Sequence, residues 1–166
     1  KSDYAEAHNN LGIALRALRR TKSAETAYRQ AIDIKPEQGL FHSNLANVLL
    51  ARGRLEEAEA EYRYSLELEP TITHSYRMLA NLKSIRLNDP LFLRMNELLQ
   101  SAKVPKSNKI DLHFALGAVL EEYNDYDGAF DHWKTGNRLK NSGIKWRNAG
   151  RENFVRCAKN VFDKDL

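Results

Sequence analysis

The sequence predicts an all-α protein, a right-handed superhelical solenoid of about four helix-turn-helix hairpins plus a C-terminal capping helix. Three observations lead there. The chain repeats itself every 34 residues: Leu11, Leu45 and Leu79 share one phase, as do Gly12, Ala46 and Ala80, and Ala24 with Ala58, Tyr28 with Tyr62 and Pro36 with Pro70. The recurring residues suit a helix crossing, because Gly or Ala lets two axes approach, an aromatic fills the space beside them, and Pro ends the helix. Composition agrees: 42% of residues are hydrophobic and 29% charged, with only eight Gly and four Pro, and no β-alternation runs beyond a few residues.

The elements follow in order. Helices are expected near 4–17 and 20–34, then 38–51 and 54–68, each pair closing before Pro36 or Pro70. A third pair is expected near 72–85 and 90–102, within a repeat region spanning 1–103. Its first half keeps Tyr76, Leu79 and Ala80, while its second half has lost the Ala and Tyr positions. Asn88-Asp89-Pro90 reads as a cap followed by Pro at the first helical position, and Leu91, Met95, Leu98 and Leu99 form an apolar helical face. Residues 104–109 read as a linker containing Pro105. A fourth repeat occupies 110–141, with helices near 110–122 and 126–140 and with Leu116, Gly117, Ala129, Trp133 and Gly136 in the repeat slots. Residues 142–166 read as a capping or connecting segment, with a helix near 146–163 whose Phe154, Ala158, Val161 and Phe162 cover the end of the fourth hairpin.

These residues resemble the tetratricopeptide repeat family. His8 or His42, Leu11-Gly12 or Leu45-Ala46, Ala24 or Ala58, Tyr28 or Tyr62, Ala31 or Ser65, and Pro36 or Pro70 fall on its pattern, with His at an aromatic slot and Ser65 for Ala as departures. The run from Leu112 to Lys140 also resembles the last repeat of bacterial proteins that join such repeats to a sulfotransferase domain. The matching phrases are Phe114-Ala115-Leu116-Gly117, Asp125-Tyr126-Asp127-Gly128-Ala129-Phe130 and Gly136-Asn137-Arg138-Leu139-Lys140. That family's phosphate-binding loop for the sulfuryl donor does not occur here, so the resemblance implies a recognition arm without catalysis of its own. The start at Lys1 and the uncapped amphipathic ending suggest a piece of a longer protein.

Little in the chain points to chemistry. The five His residues show no metal-ligand spacing, and His8 and His42 share a packing slot. No metal, cofactor or catalytic residue is assigned. Cys157 excludes an internal disulfide and fits a reducing compartment, hence a cytoplasmic placement. Asn124-Asp125-x-Asp127 reads as a turn and cap rather than a calcium loop. Glu56, Glu57, Glu59 and Glu61 read as a solvated face. No apolar run is long enough for a membrane span.

Binding is the better reading. The resemblance implies that the first helix of each hairpin lines a concave groove. Asn10 and Asn44 share one phase of the repeat there, and Asn47 and Asn81 another, so four amides are expected on one inner face with Arg77 beside them. This is similar to the asparagine ladder in the repeats of the protein O-linked N-acetylglucosamine transferase, although Met78 and Ala115 interrupt it. Such amides either grip a peptide backbone or are merely tolerated on a wet helix. Residues 134–159 hold eight Lys or Arg against Glu152 alone, within a net charge of +4. That stripe is a solvated face, or it meets an acidic partner or an adjoining catalytic domain; nucleic acid is disfavoured because no aromatic platform interleaves it. The sequence therefore predicts a peptide- or protein-binding module. It is read as the recognition arm of a larger bacterial sulfotransferase, with a free-standing scaffold or the repeat arm of a glycosyltransferase as the alternative.

Overall fold

The structure is a computed structural model that describes residues 2–142. The expected helix near 146–163, Cys157 and most of the basic stripe lie outside the described residues. Eight helices follow one another: α1 (Ser2–Ala17), α2 (Thr21–Ile34), α3 (Gly39–Ala51), α4 (Leu55–Leu68), α5 (Thr73–Asn81), α6 (Pro90–Gln100), α7 (Lys106–Glu122) and α8 (Tyr126–Asn141). No strand occurs among the described residues.

Three of the four expected hairpins close: α1 packs on α2, α3 on α4 and α7 on α8. At each crossing the small residue is fully buried, namely Ala24, Ala58 and Ala129. The aromatic slot works against a second small residue on the first helix. A Cβ built on Gly12 would stand 2.6 Å from the Tyr28 ring, and one on Gly117 would collide with the Trp133 indole. Tyr28 and Tyr62 are both fully buried, and a single apolar core runs from Ala24 on α2 to Val119 on α7.

Ser65, the departure from Ala, has a reason. Its hydroxyl lies 2.8 Å from Ser75 Oγ, and Ser75 donates to Ser43 Oγ at 3.0 Å. These three buried hydroxyls join α4, α5 and α3, so each has a partner in the core.

Every first helix ends in the same way. Arg19, Gly53, Lys83 and Asn124 take left-handed φ values of 58°, 73°, 57° and 63°. The following amide then reaches back to a carbonyl five residues earlier, as Arg20 does to Leu15 at 2.9 Å and Arg54 to Leu49 at 3.0 Å. The second helices of the last two repeats are capped by carboxylates. Asp89 accepts from the Leu91 amide ahead of Pro90, and Asp125 accepts from the Gly128 amide at 3.0 Å, which places Asp125 in the cap role read from the sequence.

The third hairpin does not form as expected. Helix α5 ends at Asn81, short of residue 85, because Lys83 turns the chain. It then packs chiefly on α7 rather than on α6. The cause is local. Phe92 stands where Ala24 and Ala58 stand in the earlier repeats, and Asn96 where Tyr28 and Tyr62 stand. Phe cannot give the close approach that Ala gives at that slot, and an exposed Asn fills no space; Phe92 packs against the common core instead. Helix α6 still buries Met95 and Leu98 in the common core, as its periodicity predicts. Arg63 on α4 tethers its start, with Nη1 3.1 Å from Asp89 Oδ2. The linker is also shorter than read, because Pro105 acts as the N-cap of α7, which begins at Lys106.

Candidate concave site

Side-chain hydrogen bonds and one ion pair tie the first helices together along one face. Asn44 on α3 donates to Asn9 Oδ1 on α1 at 2.9 Å. His74 on α5 reaches Asn47 Oδ1 on α3 at 2.9 Å. Asp111 on α7 holds two groups of α5, with Arg77 Nε 3.3 Å from Oδ1 and Thr73 Oγ1 3.4 Å from Oδ2. Helices α1, α3, α5 and α7 thus lie side by side, with α7 taking the place of a fourth first helix.

Asn47 is committed inside this network. Its Nδ2 donates to the Ser43 carbonyl at 2.9 Å, and its Oδ1 accepts from the Tyr62 hydroxyl as well as from His74. Because that oxygen only accepts, His74 Nε2 must carry the proton. Its Nδ1 then accepts from Arg77 Nη2 at 3.4 Å. Burial, with Arg77 and Arg16 nearby, pushes His74 below the usual histidine range, which keeps this tautomer neutral.

The other expected groove residues are placed differently. Asn44 is partly exposed, and Asn10 and Asn81 are exposed. The residue of α1 that meets Asn44 is Asn9, buried to 3% exposure; Asn10, the next residue, points about 100° away around the helix. Asn81 lines a cleft of about 360 Å³ with Ala80, Lys83, Ala118, Glu121 and Glu122, where α5 and α7 end. Arg77 is partly exposed and shares its charge with Asp111. Sequence reading missed Asn9, His74 and Asp111. The doublet Asn9-Asn10 was the available signal for the first; the other two share one slot, six residues before the small residue of the first helix, which Glu6 also holds in the first repeat and Leu40 interrupts in the second.

A second buried charge cluster stands behind this face. Glu25 on α2, 8% exposed, takes Arg29 from its own helix and Arg54 from the turn after α3 at 2.8 Å, with Arg52 also paired to it. Burial alone would raise its carboxyl, but the hydrogen bonds from Arg29 and Arg54 outweigh that and hold it below the usual range. Glu61 leaves the solvated face expected for it and binds His42 Nδ1 at 2.7 Å, while His42 Nε2 donates to the Pro36 carbonyl at 2.8 Å. Among the described residues no group of three or more His, Cys, Asp or Glu could hold a metal ion, and no helix is long and apolar enough to cross a membrane.

Comparison with known proteins agrees with this architecture. The family profile described as Tetratricopeptide repeat matches residues 15–80. A crystal structure of MamA superposes with a TM-score of 0.62 at 11% identity, covering 86% of this chain and 81% of that one. A MamA RS-1 ArsTM double mutant gives 0.59 at 19% identity over 87% of this chain and 79% of that one. The Sgt2 TPR domain from Aspergillus fumigatus gives 0.48 at 18% identity over 84% and 81%. No curated protein matches the chain. At these identities the likeness to the two MamA structures speaks for the fold alone.

Proposed function

We propose that this chain is a peptide- or protein-binding module that holds an extended segment against the inner face of α1, α3, α5 and α7. The observation that supports the reading most directly is the division of labour among its amides. Asn47, His74, Arg77 and Asp111 fix neighbouring first helices in register, while Asn44 and Asn81 keep amide surface toward solvent and Asn10 is turned away from this face. Each exposed amide offers a donor and an acceptor, which is what an extended backbone requires. A tetratricopeptide match over residues 15–80 is consistent with such a role. The module has no catalytic role of its own. Within a longer cytoplasmic protein it serves as a recognition arm, and the phrases shared with sulfotransferase-linked repeats make that enzyme class the first parent to examine. A free-standing scaffold or the arm of a glycosyltransferase is the other reading.

The test begins with selection of binders from a phage-displayed peptide library on the 1–166 chain, followed by calorimetric titration. Replacing Asn44 and Asn81 together by Ala should weaken binding by about 0.5–1.5 kcal/mol per lost contact, with the melting temperature nearly unchanged. Asn47→Ala should instead lower stability, because it strands the Tyr62 hydroxyl and His74. Binding that survives the double variant undiminished would refute the groove.

A further inference from the structure

His113 on α7 and His132 on α8 stand apart from the groove network. Their Nδ1 atoms are 3.1 Å apart, with ring centroids at 5.2 Å and planes inclined at 48°. Both rings are partly exposed, so solvent and small ions reach them. The pair occupies the repeat slots held by His42 and Glu61 in the second hairpin, each His standing four residues before the small residue of the first helix. In that hairpin both nitrogens of His42 are bound, one to Glu61 and one to the Pro36 carbonyl. His74 likewise uses both nitrogens. In the fourth hairpin the carboxylate is replaced by a second imidazole, and two nitrogen donors face each other.

We propose that His113 and His132 form a two-imidazole site for a divalent transition-metal ion of the zinc and copper class, with water completing the coordination. Metal–nitrogen bonds of about 2.0–2.1 Å spanning this 3.1 Å separation subtend about 98° at the metal, between the square-planar and tetrahedral angles. Without metal the two nitrogens share one proton in an N–H···N bond. The ion takes that proton's place and a modest turn of the rings directs both Nδ1 lone pairs at it; the ring that held the shared proton loses it from Nδ1 and takes one up at Nε2, so both imidazoles bind as neutral ligands and no net proton is released. The surrounding charges are mixed. Lys109 and Arg138 act on His113, while Asp131 and Asp125 act on His132 and offset the charge of an arriving cation.

Zinc chloride titrated into the 1–166 chain tests the site, followed by long-range ¹H–¹⁵N spectra of the imidazoles and by calorimetry at neutral pH. Zinc should shift the Nδ1 signals of His113 and His132 together and leave those of His42 and His74 in place. His113→Gln or His132→Gln should each weaken zinc binding at least tenfold, while His8→Gln should leave it unchanged. Unmoved Nδ1 signals in the parent chain would overturn the proposal. Equal losses in the His8 variant would overturn it as well. The parent spectra decide the matter even if a variant fails to fold.

Discussion

Tyr28 and Tyr62 occupy one slot of the repeat and are equally buried, yet their hydroxyls meet different surroundings. Tyr62 donates to Asn47 Oδ1 at 2.9 Å. The residue 34 positions before Asn47 is Ile13, and the Tyr28 hydroxyl is buried with no well-formed hydrogen bond, its polar neighbour being the Arg16 guanidinium. Deleting an unsatisfied hydroxyl costs nothing in lost bonds, whereas deleting a bonded one does. Tyr62→Phe should therefore lower stability by about 0.5–1.5 kcal/mol, while Tyr28→Phe should be neutral or stabilising. Urea unfolding of the two variants checks this, and equal losses would contradict the assignment. Histidines diverge in the same manner. For His42, burial works against the charged form, but Glu61 and the Pro36 carbonyl outweigh it, so its folded value is raised. Its contribution is present below the unfolded value of about 6.5 and fades as pH rises through the folded value. Burial and mutual repulsion lower His113, and burial lowers His132 and His74. Their contribution is present above about 6.5 and is lost as pH falls through the lowered values. With three lowered groups against one raised, the melting temperature should fall on acidification below about pH 6.5. His132→Gln should flatten that fall, because it removes one lowered group and relieves another. A pH series of thermal melts measures both.

The turns after the first helices decide how each element ends. Gly53 adopts its left-handed φ of 73° at little cost, whereas Arg19 and Lys83 adopt values of 58° and 57° with a Cβ present. Gly53→Ala should cost about 1 kcal/mol, and Lys83→Gly should gain up to about 1 kcal/mol, read as shifts of the urea midpoint. Opposite signs would mean that side-chain contacts at these turns outweigh the backbone. At this scale the sequence was readable where the repeat is regular. The helices of the first, second and fourth hairpins fall within a few residues of their expected bounds, because small residues, aromatics and Pro mark crossings and ends. The third was harder. That Phe92 and Asn96 break the pattern is visible in the chain, but where α6 then goes depends on Met95 and Leu98 finding a shared core and on Arg63 reaching Asp89. The candidate site shows the same limit. The 34-residue spacing of Asn47 and Asn81 is plain, yet the contacts of Asn47, with partners 15 and 27 residues downstream, do not recur: Ile13 stands in its slot beside Tyr28, and Asn96 stands 15 residues after Asn81.

Across the whole molecule, neighbouring units are joined by a few long-range polar links laid over a continuous apolar core. Glu25 gathers the arginines of the next turn, the three serines join α3, α4 and α5, and Asp111 binds α7 to α5. Stability in such an array is a sum of local terms and nearest-neighbour couplings, so a weak coupling is felt where it occurs. Helix α6 has that weak position, since it closes no hairpin with α5 and buries only Met95 and Leu98. In a repeat array the ends ordinarily breathe first. Here the seam lies in the interior, and the amides of α6 should exchange with deuterium earlier than those of α4 or α7 on either side, while the latter remain protected. Mass-spectrometric exchange resolved to peptides covering 90–100 would register this opening as a unit. Uniform protection from α4 through α7 would show instead that the unclosed third hairpin carries the same coupling as the closed ones.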